Sequence, residues 1–166
     1  MSNAYRYYVP NEMIKIIEEE PYPYLLQEWN SYNLEEGIDQ WEQHGDDIQF
    51  RTCGSGGAYA WWQCFQDRYN LPEQHRDPQF IRFGPKSTLP IHRDPKSLAW
   101  IAATVVGDQA IEFYDMDKMK LHEVTYKFAL VNSKQPHFCD VNGQERVLFR
   151  KIYTETSYDT LVHLLN

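Results

Sequence analysis

His92 and Asp94 stand two residues apart in Leu89-Pro90-Ile91-His92-Arg93-Asp94-Pro95, and His137 follows in Gln135-Pro136-His137-Phe138-Cys139. In an extended chain, residues two apart point to the same side, so one strand would present the imidazole and the carboxylate together. Two imidazoles and one carboxylate are the donors of a facial triad, which holds iron(II) and leaves positions open for other ligands. Each member also has a plainer reading. His92-Arg93-Asp94 alone reads equally well as a surface turn with an Arg–Asp pair, and a lone His137 as a core histidine bonded to a carbonyl. Arrangement favours the chemistry: the motif falls between a strand and a turn at Pro95, and His137 recurs near the end of the same strand-rich region. Arg146 then opens the final strand, where Arg146, Leu148 and Arg150 share one face. An inward arginine beside leucine needs a carboxylate partner, because an unpaired buried charge is costly. A carboxylate bound bidentately suits the guanidinium fork.

The elements that must position these residues are legible from 79 onward. Gln79 to Phe83 alternates, Gly84-Pro85-Lys86-Ser87 turns, and Leu89 to Arg93 is expected as the strand carrying the first motif. Ala99 to Val106 is a continuous apolar run fit for a buried strand. Gly107-Asp108 turns it into Ala110 to Tyr114, Asp115 to Lys118 turns again, and Leu121 to Val131 holds one or two strands. Pro136 to Asp140 is another. Asn142-Gly143 is the strongest hairpin signal and delivers the chain into Arg146 to Tyr153. Such closely spaced short strands predict a sandwich or jelly roll rather than a parallel α/β sheet.

Ahead of that region the sequence predicts a helix over Asn11 to Glu20, with Met13, Ile14 and Ile17 as its apolar stripe and Pro21 and Pro23 beyond it. A short helix is expected over Leu34 to Trp41, a strand over Ile48 to Arg51, and a helix over Ala58 to Tyr69 that buries Trp61, Trp62 and Phe65. A closing helix over Tyr158 to Leu165 is capped by Ser157. The expected organisation is one domain: a helical support region over 1–78, a β core over 79–153 and a C-terminal helix over 154–166.

With 166 residues the chain is long enough to bury a real core, and 12 Tyr and 5 Trp supply apolar surface. The net charge of -8 argues against a nucleic-acid partner, because such binding draws its affinity from cations that neutralise phosphates. Cys53, Cys64 and Cys139 have neither the number nor the spacing of a disulfide framework or zinc ribbon. The N-terminal residues lack the apolar core of a secretion signal, and no run has membrane-span length. No membrane partner and a cytoplasmic location are the expectations.

Taken together, His92-x-Asp94, His137 and Arg146 in this order resemble the iron(II)- and 2-oxoglutarate-dependent dioxygenases. The resemblance covers roughly 79–153. Phe80-Ile81-Arg82-Phe83-Gly84-Pro85 followed by Leu89-Pro90-Ile91-His92-x-Asp94 looks like the prolyl-hydroxylase branch. Asn132 through Asn142-Gly143-Gln144-Glu145-Arg146 is similar to the ending of the aspartyl/asparaginyl-hydroxylase branch. The resemblance implies a double-stranded β-helix, a jelly roll of the cupin-like kind. It also implies iron(II) held by His92, Asp94 and His137, with Arg146 gripping the distal carboxylate of 2-oxoglutarate. The implied reaction is hydroxylation of a small molecule or a peptide side chain, with no catalytic residue beyond the metal ligands. The chain departs from the prolyl-hydroxylase pattern at Phe83, near where that branch often has a tyrosine, and at Arg146, where it often has lysine. It departs from the aspartyl branch by having Asp94 at all.

Other readings compete. A cupin-type metal isomerase or dioxygenase would present H-x-H and a glutamate, whereas this chain has H-x-D. A non-catalytic jelly-roll binding module would keep His92 and His137 as structural residues. The kinase-like His92-Arg93-Asp94 lacks its downstream Asn, since Ala99 stands there. Gly54-Ser55-Gly56-Gly57 and Gly84-Pro85-Lys86-Ser87-Thr88 both miss the phosphate-loop spacing. Cys139 would share a face with His137, yet free cysteines are usually small core residues. Trp61, Trp62, Trp100, Tyr114 and Tyr126 read as core rather than as site residues.

Overall fold

Strand pairing dominates the molecule, and every pairing is antiparallel. The computed structural model describes residues 10–32, 39–40, 47–73 and 76–166. In chain order these give α1 (Pro10–Met13), β1 (Ile14–Ile16), α2 (Leu25–Asn30), β2 (Asp39–Gln40), β3 (Ile48–Thr52) and α3 (Gly57–Arg68). There follow β4 (Gln79–Phe83), β5 (Ala99–Val106), β6 (Ile111–Tyr114), β7 (Lys120–Val124), β8 (Phe128–Val131), β9 (His137–Phe138), β10 (Arg146–Tyr153) and α4 (Tyr158–Leu165). A seven-stranded sheet of order β1-β8-β5-β10-β4-β3-β2 accompanies a three-stranded sheet of order β7-β6-β9. The class is the β-rich jelly roll, with few helices.

Alternation along the strands sorts side chains between two cores. On β10, Val147, Phe149 and Tyr153 belong to a cluster with Trp62 and Phe65 of α3, Trp29 of α2 and Leu161 of α4. Leu148 belongs to a second cluster with Trp100, Ala102, Ile111, Phe113 and Tyr126, which joins the two sheets. The helices thus cover the outer face of the large sheet, and the small sheet covers its inner one. Trp62 and Phe65 are fully buried, and truncating either to alanine would cost about 3–5 kcal/mol. Trp61, also expected inside, is only partly buried against this cluster.

Most strands match their sequence signals, and β10 and α4 fall on the expected residues. Ser157 caps α4 by accepting from the Thr160 amide at 3.2 Å. Four expectations need correction. The helix predicted over Asn11 to Glu20 is a single turn, after which Ile14–Ile16 pairs with β8. The unpaired edge of β8 outcompetes a helical stripe built of β-branched isoleucines, which suit a strand at least as well. The N-terminal stretch therefore adds strands β1, β2 and β3 to the large sheet as well as helices, α2 among them without a sequence expectation. Leu89 to Arg93 is not a strand, because only His92 makes a bridge, to His137. Asn142-Gly143 does adopt positive φ at both positions, 54° and 72°, closed by Gln144 N to Val141 O at 2.9 Å. Yet the strands it joins lie in different sheets, so it is a tight turn between layers and not a hairpin. The helix expected over 34–41 lies outside the described residues except for Asp39–Gln40, which is strand. No described helix is long and apolar enough to cross a membrane.

Candidate metal centre

The bridge between His92 and His137 builds the site. Each residue donates its backbone amide to the other's carbonyl, at 3.0 and 2.9 Å. This reciprocal pair sets the imidazoles side by side, with ring centroids 4.5 Å apart. His137 also pairs with Phe113 of β6, so His92 in effect extends the edge of the small sheet. Short as they are, β9 and the single bridge are enough to fix two side chains.

Both rings are then turned the same way. His92 Nδ1 lies 2.7 Å from Pro90 O, and His137 Nδ1 lies 2.7 Å from Gln135 O, in each case two residues upstream. A carbonyl only accepts, so Nδ1 carries a proton in each ring; Nε2 is the nitrogen turned toward Asp94, donating to it when the ring is protonated and open to an ion when the ring is neutral. The two Nε2 atoms stand 3.2 and 3.4 Å from Asp94 Oδ1. The other carboxylate oxygen, Oδ2, accepts from Trp100 Nε1 at 3.2 Å. Among the described residues, His92, Asp94 and His137 are the group able to hold a metal ion, their donor atoms all within 4.8 Å of one another. Neighbouring ligands of an ion bound at about 2.1 Å sit about 3 Å apart, so the donor set fits one ion with little movement.

Electrostatics agree with a carboxylate kept ionised. Burial pushes the Asp94 carboxyl up, but hydrogen bonding from His137 and His92 overrides it and holds the group far below the ordinary carboxylate range. His92 is shifted upward: burial disfavours its charge, and the bond to Asp94 outweighs that.

The loop carrying Asp94 has no regular structure and is pinned by the turn before β9. Asp94 N donates to Ser133 O at 3.0 Å, and Lys134 Nζ donates to Asp94 O at 2.9 Å and Pro95 O at 3.2 Å. The buried hydroxyls of Ser97 and Ser133 bond each other at 2.7 Å. Sequence reasoning assigned no supporting role to Ser97, Ser133 or Lys134. Trp100 alone left a signal, since a buried indole N–H needs an acceptor.

Arg146 lies on the inward face of β10, 5% exposed. Its Nη2 donates to Tyr126 OH at 3.1 Å, and its guanidinium sits over the Phe83 ring at 5.5 Å. No carboxylate of the described residues pairs with it; the adjacent Glu145 is taken by Arg82 at 2.5 Å. Tyr126, read from sequence as core, is indeed buried but carries the hydroxyl that Phe83 lacks. Cys139 stays out of the three-residue group, and burial pushes its thiol up.

No family model matches the sequence, and no curated protein matches it. Among solved structures the chain is similar to the crystal structure of a Pseudomonas putida prolyl-4-hydroxylase. The TM-score is 0.54 at 17% identity, covering 86% of this chain and 92% of that one. At that identity the likeness is one of fold.

Proposed function

We propose that the protein is an iron(II)- and 2-oxoglutarate-dependent oxygenase that hydroxylates a small molecule or a peptide side chain. The observation that carries this reading is Arg146: a buried cation on the inward face of β10, the face that the small sheet bearing His92 and His137 covers, left without any carboxylate of the described chain. A buried charge of that kind is tolerated where a ligand completes it. A dicarboxylate that reaches a metal at one end fits that requirement, and the solved prolyl-4-hydroxylase shares the fold. In this reading His92 and His137 offer Nε2 and Asp94 offers Oδ1 to iron, while Pro90 O, Gln135 O and Trp100 Nε1 hold the three donors in place. Arg146 and the Tyr126 hydroxyl bind the distal carboxylate. Iron and 2-oxoglutarate together supply an oxidative decarboxylation coupled to C–H hydroxylation, and the protein orients them and excludes water.

The test loads the protein anaerobically with iron(II) and 2-oxoglutarate, then admits oxygen and follows succinate. Slow succinate formation, lost in His92→Ala and Asp94→Ala, is expected. Failure to bind either iron or 2-oxoglutarate would overturn the reading and leave a binding module with structural histidines.

A further inference from the structure

Arg150 is a second inward arginine that the cosubstrate does not account for. It shares the face of Arg146 and Leu148 on β10, two residues before Ile152, the register partner of Trp100 on β5, and it is the arginine whose charge acts on Asp94 and His92. Its guanidinium sits over the Trp100 ring at 5.6 Å, the same ring whose Nε1 holds Asp94. Its Nε is shielded from solvent and has no hydrogen-bond partner among the described residues. Burial weakens its charge, Asp94 is the carboxylate that supports it, and Arg146 and Arg76 repel it.

Once Asp94 serves a metal, Arg150 loses that support. A divalent metal and the two arginines bring four positive charges, whereas Asp94 and a dicarboxylate bring three negative ones. One positive charge stays uncompensated beside a half-buried guanidinium whose Nε is shielded from solvent. Lys134, spent on the carbonyls of Asp94 and Pro95, adds to the same sign nearby. The chain as a whole is acidic, at -8, so a local excess of cations here runs against its average.

We infer that Arg150 recognises an oxyanion on the substrate, a carboxylate or a phosphate monoester placed close to the carbon that reacts. The inference rests on the oxygenase reading and narrows its substrate to anionic molecules or acidic side chains. A guanidinium suits either oxyanion through two parallel N–H donors, and its place over the Trp100 ring holds it near Asp94. Arg150 is then a specificity-determining residue, while Arg146 serves the cosubstrate.

The test uses protein loaded with Mn(II) in place of iron and saturated with 2-oxoglutarate. Acetate, methyl phosphate and the neutral acetamide are added as probes, and the paramagnetic broadening of each methyl resonance is read by NMR. Broadening of acetate, methyl phosphate or both, several-fold above acetamide, is expected in the wild-type protein, and the stronger anion identifies the class of oxyanion. The excess should vanish in Arg150→Met and persist in part in Arg150→Lys, with 2-oxoglutarate affinity unchanged in both. Equal broadening of all three probes by the wild-type protein overturns the inference without needing a folded variant. So does a tenfold or larger loss of 2-oxoglutarate affinity in a folded Arg150→Met, which would assign the residue to the cosubstrate. If the Mn(II) protein fails to bind 2-oxoglutarate at all, the oxygenase reading falls and takes this inference with it.

Discussion

Arg146→Met separates packing from binding. The methionine keeps an apolar stem of similar reach and removes the charge. In the free protein the wild-type side chain is a buried cation whose polar contact is the Tyr126 hydroxyl. Replacing buried charges with apolar side chains is commonly neutral or stabilising, by about 1–4 kcal/mol. The substitution also strands the Tyr126 hydroxyl, which costs about 1–3 kcal/mol. These effects nearly cancel, so the single variant should melt close to the wild type. The double variant Arg146→Met/Tyr126→Phe should melt higher, by about 2–4 °C for each kcal/mol recovered. Cosubstrate binding moves the other way. Losing a buried charged pairing costs about 2–5 kcal/mol, which weakens 2-oxoglutarate by roughly 30- to 4,000-fold. At a ligand concentration 100 times its Kd, the wild type should gain about 2.7 kcal/mol, or about 5–11 °C. Both variants should gain about 0.9 kcal/mol or less at that concentration, a third of the wild-type shift at most. Differential scanning fluorimetry of Mn(II)-loaded protein, with and without 2-oxoglutarate, reads every term. A markedly lower melting point in Arg146→Met with the ligand shift intact would refute the reasoning and make the arginine structural.

Trp100→Phe removes the donor to Asp94 Oδ2 and should weaken metal binding about 10- to 100-fold. Calorimetric titration checks it, and unchanged affinity would mean that the Ser133 and Lys134 contacts alone position the carboxylate. Thiol alkylation should follow burial: Cys64 is exposed, whereas Cys53 is buried with its thiol pushed up to about 11, desolvation first and Glu28 second. Peptide mapping after iodoacetamide at mildly alkaline pH should find Cys64 modified and Cys53 untouched until denaturant is added. Gly143→Ala puts a Cβ into open space at a φ of 72°, so only backbone strain opposes it, and urea unfolding should show a loss of about 1–2 kcal/mol. A larger loss would show that the turn between the sheets makes contacts beyond its own backbone.

How much was legible depended on how local the information was. β5 could be read because a long apolar run encodes one element, and β10 because the Asn142-Gly143 turn announces the apolar and aromatic stretch that follows it. His92, Asp94 and His137 could be read as candidates because their types are rare in combination, and Arg146 because arginine beside leucine demands a partner. The geometry that unites them could not. It rests on a backbone bridge between residues 45 positions apart, and no side-chain pattern records such a bridge. Tyr126 is equally silent, because its hydroxyl meets Arg146 from a loop twenty residues upstream and its apolar body reads as core. The N-terminal helix failed for a related reason: whether Ile14–Ile16 is helix or strand is decided by a free edge on β8, far along the chain.

The same non-local logic governs how the candidate site is held. The candidate metal ligands His92 and His137 stand at the edge of the small sheet, whereas Arg146 and Arg150 lie on the face of the large sheet that packs against it. Register is what keeps those arginines on that face. A one-residue slip of β10 would turn Arg146, Leu148 and Arg150 toward the helices and bring Val147 and Phe149 inward. Both flanks of β10 resist this, with β4 pairing from Arg146 and β5 pairing from Val147 onward. On β5 the pairing passes from Thr104 opposite Leu148 to Val106 opposite Val147, leaving Val105 as an extra residue. A bulge bends and twists its strand and marks one position where pairing can resume. Here it lies one step from Arg146. The strand that must not slip is therefore pinned beside the residue whose direction matters most.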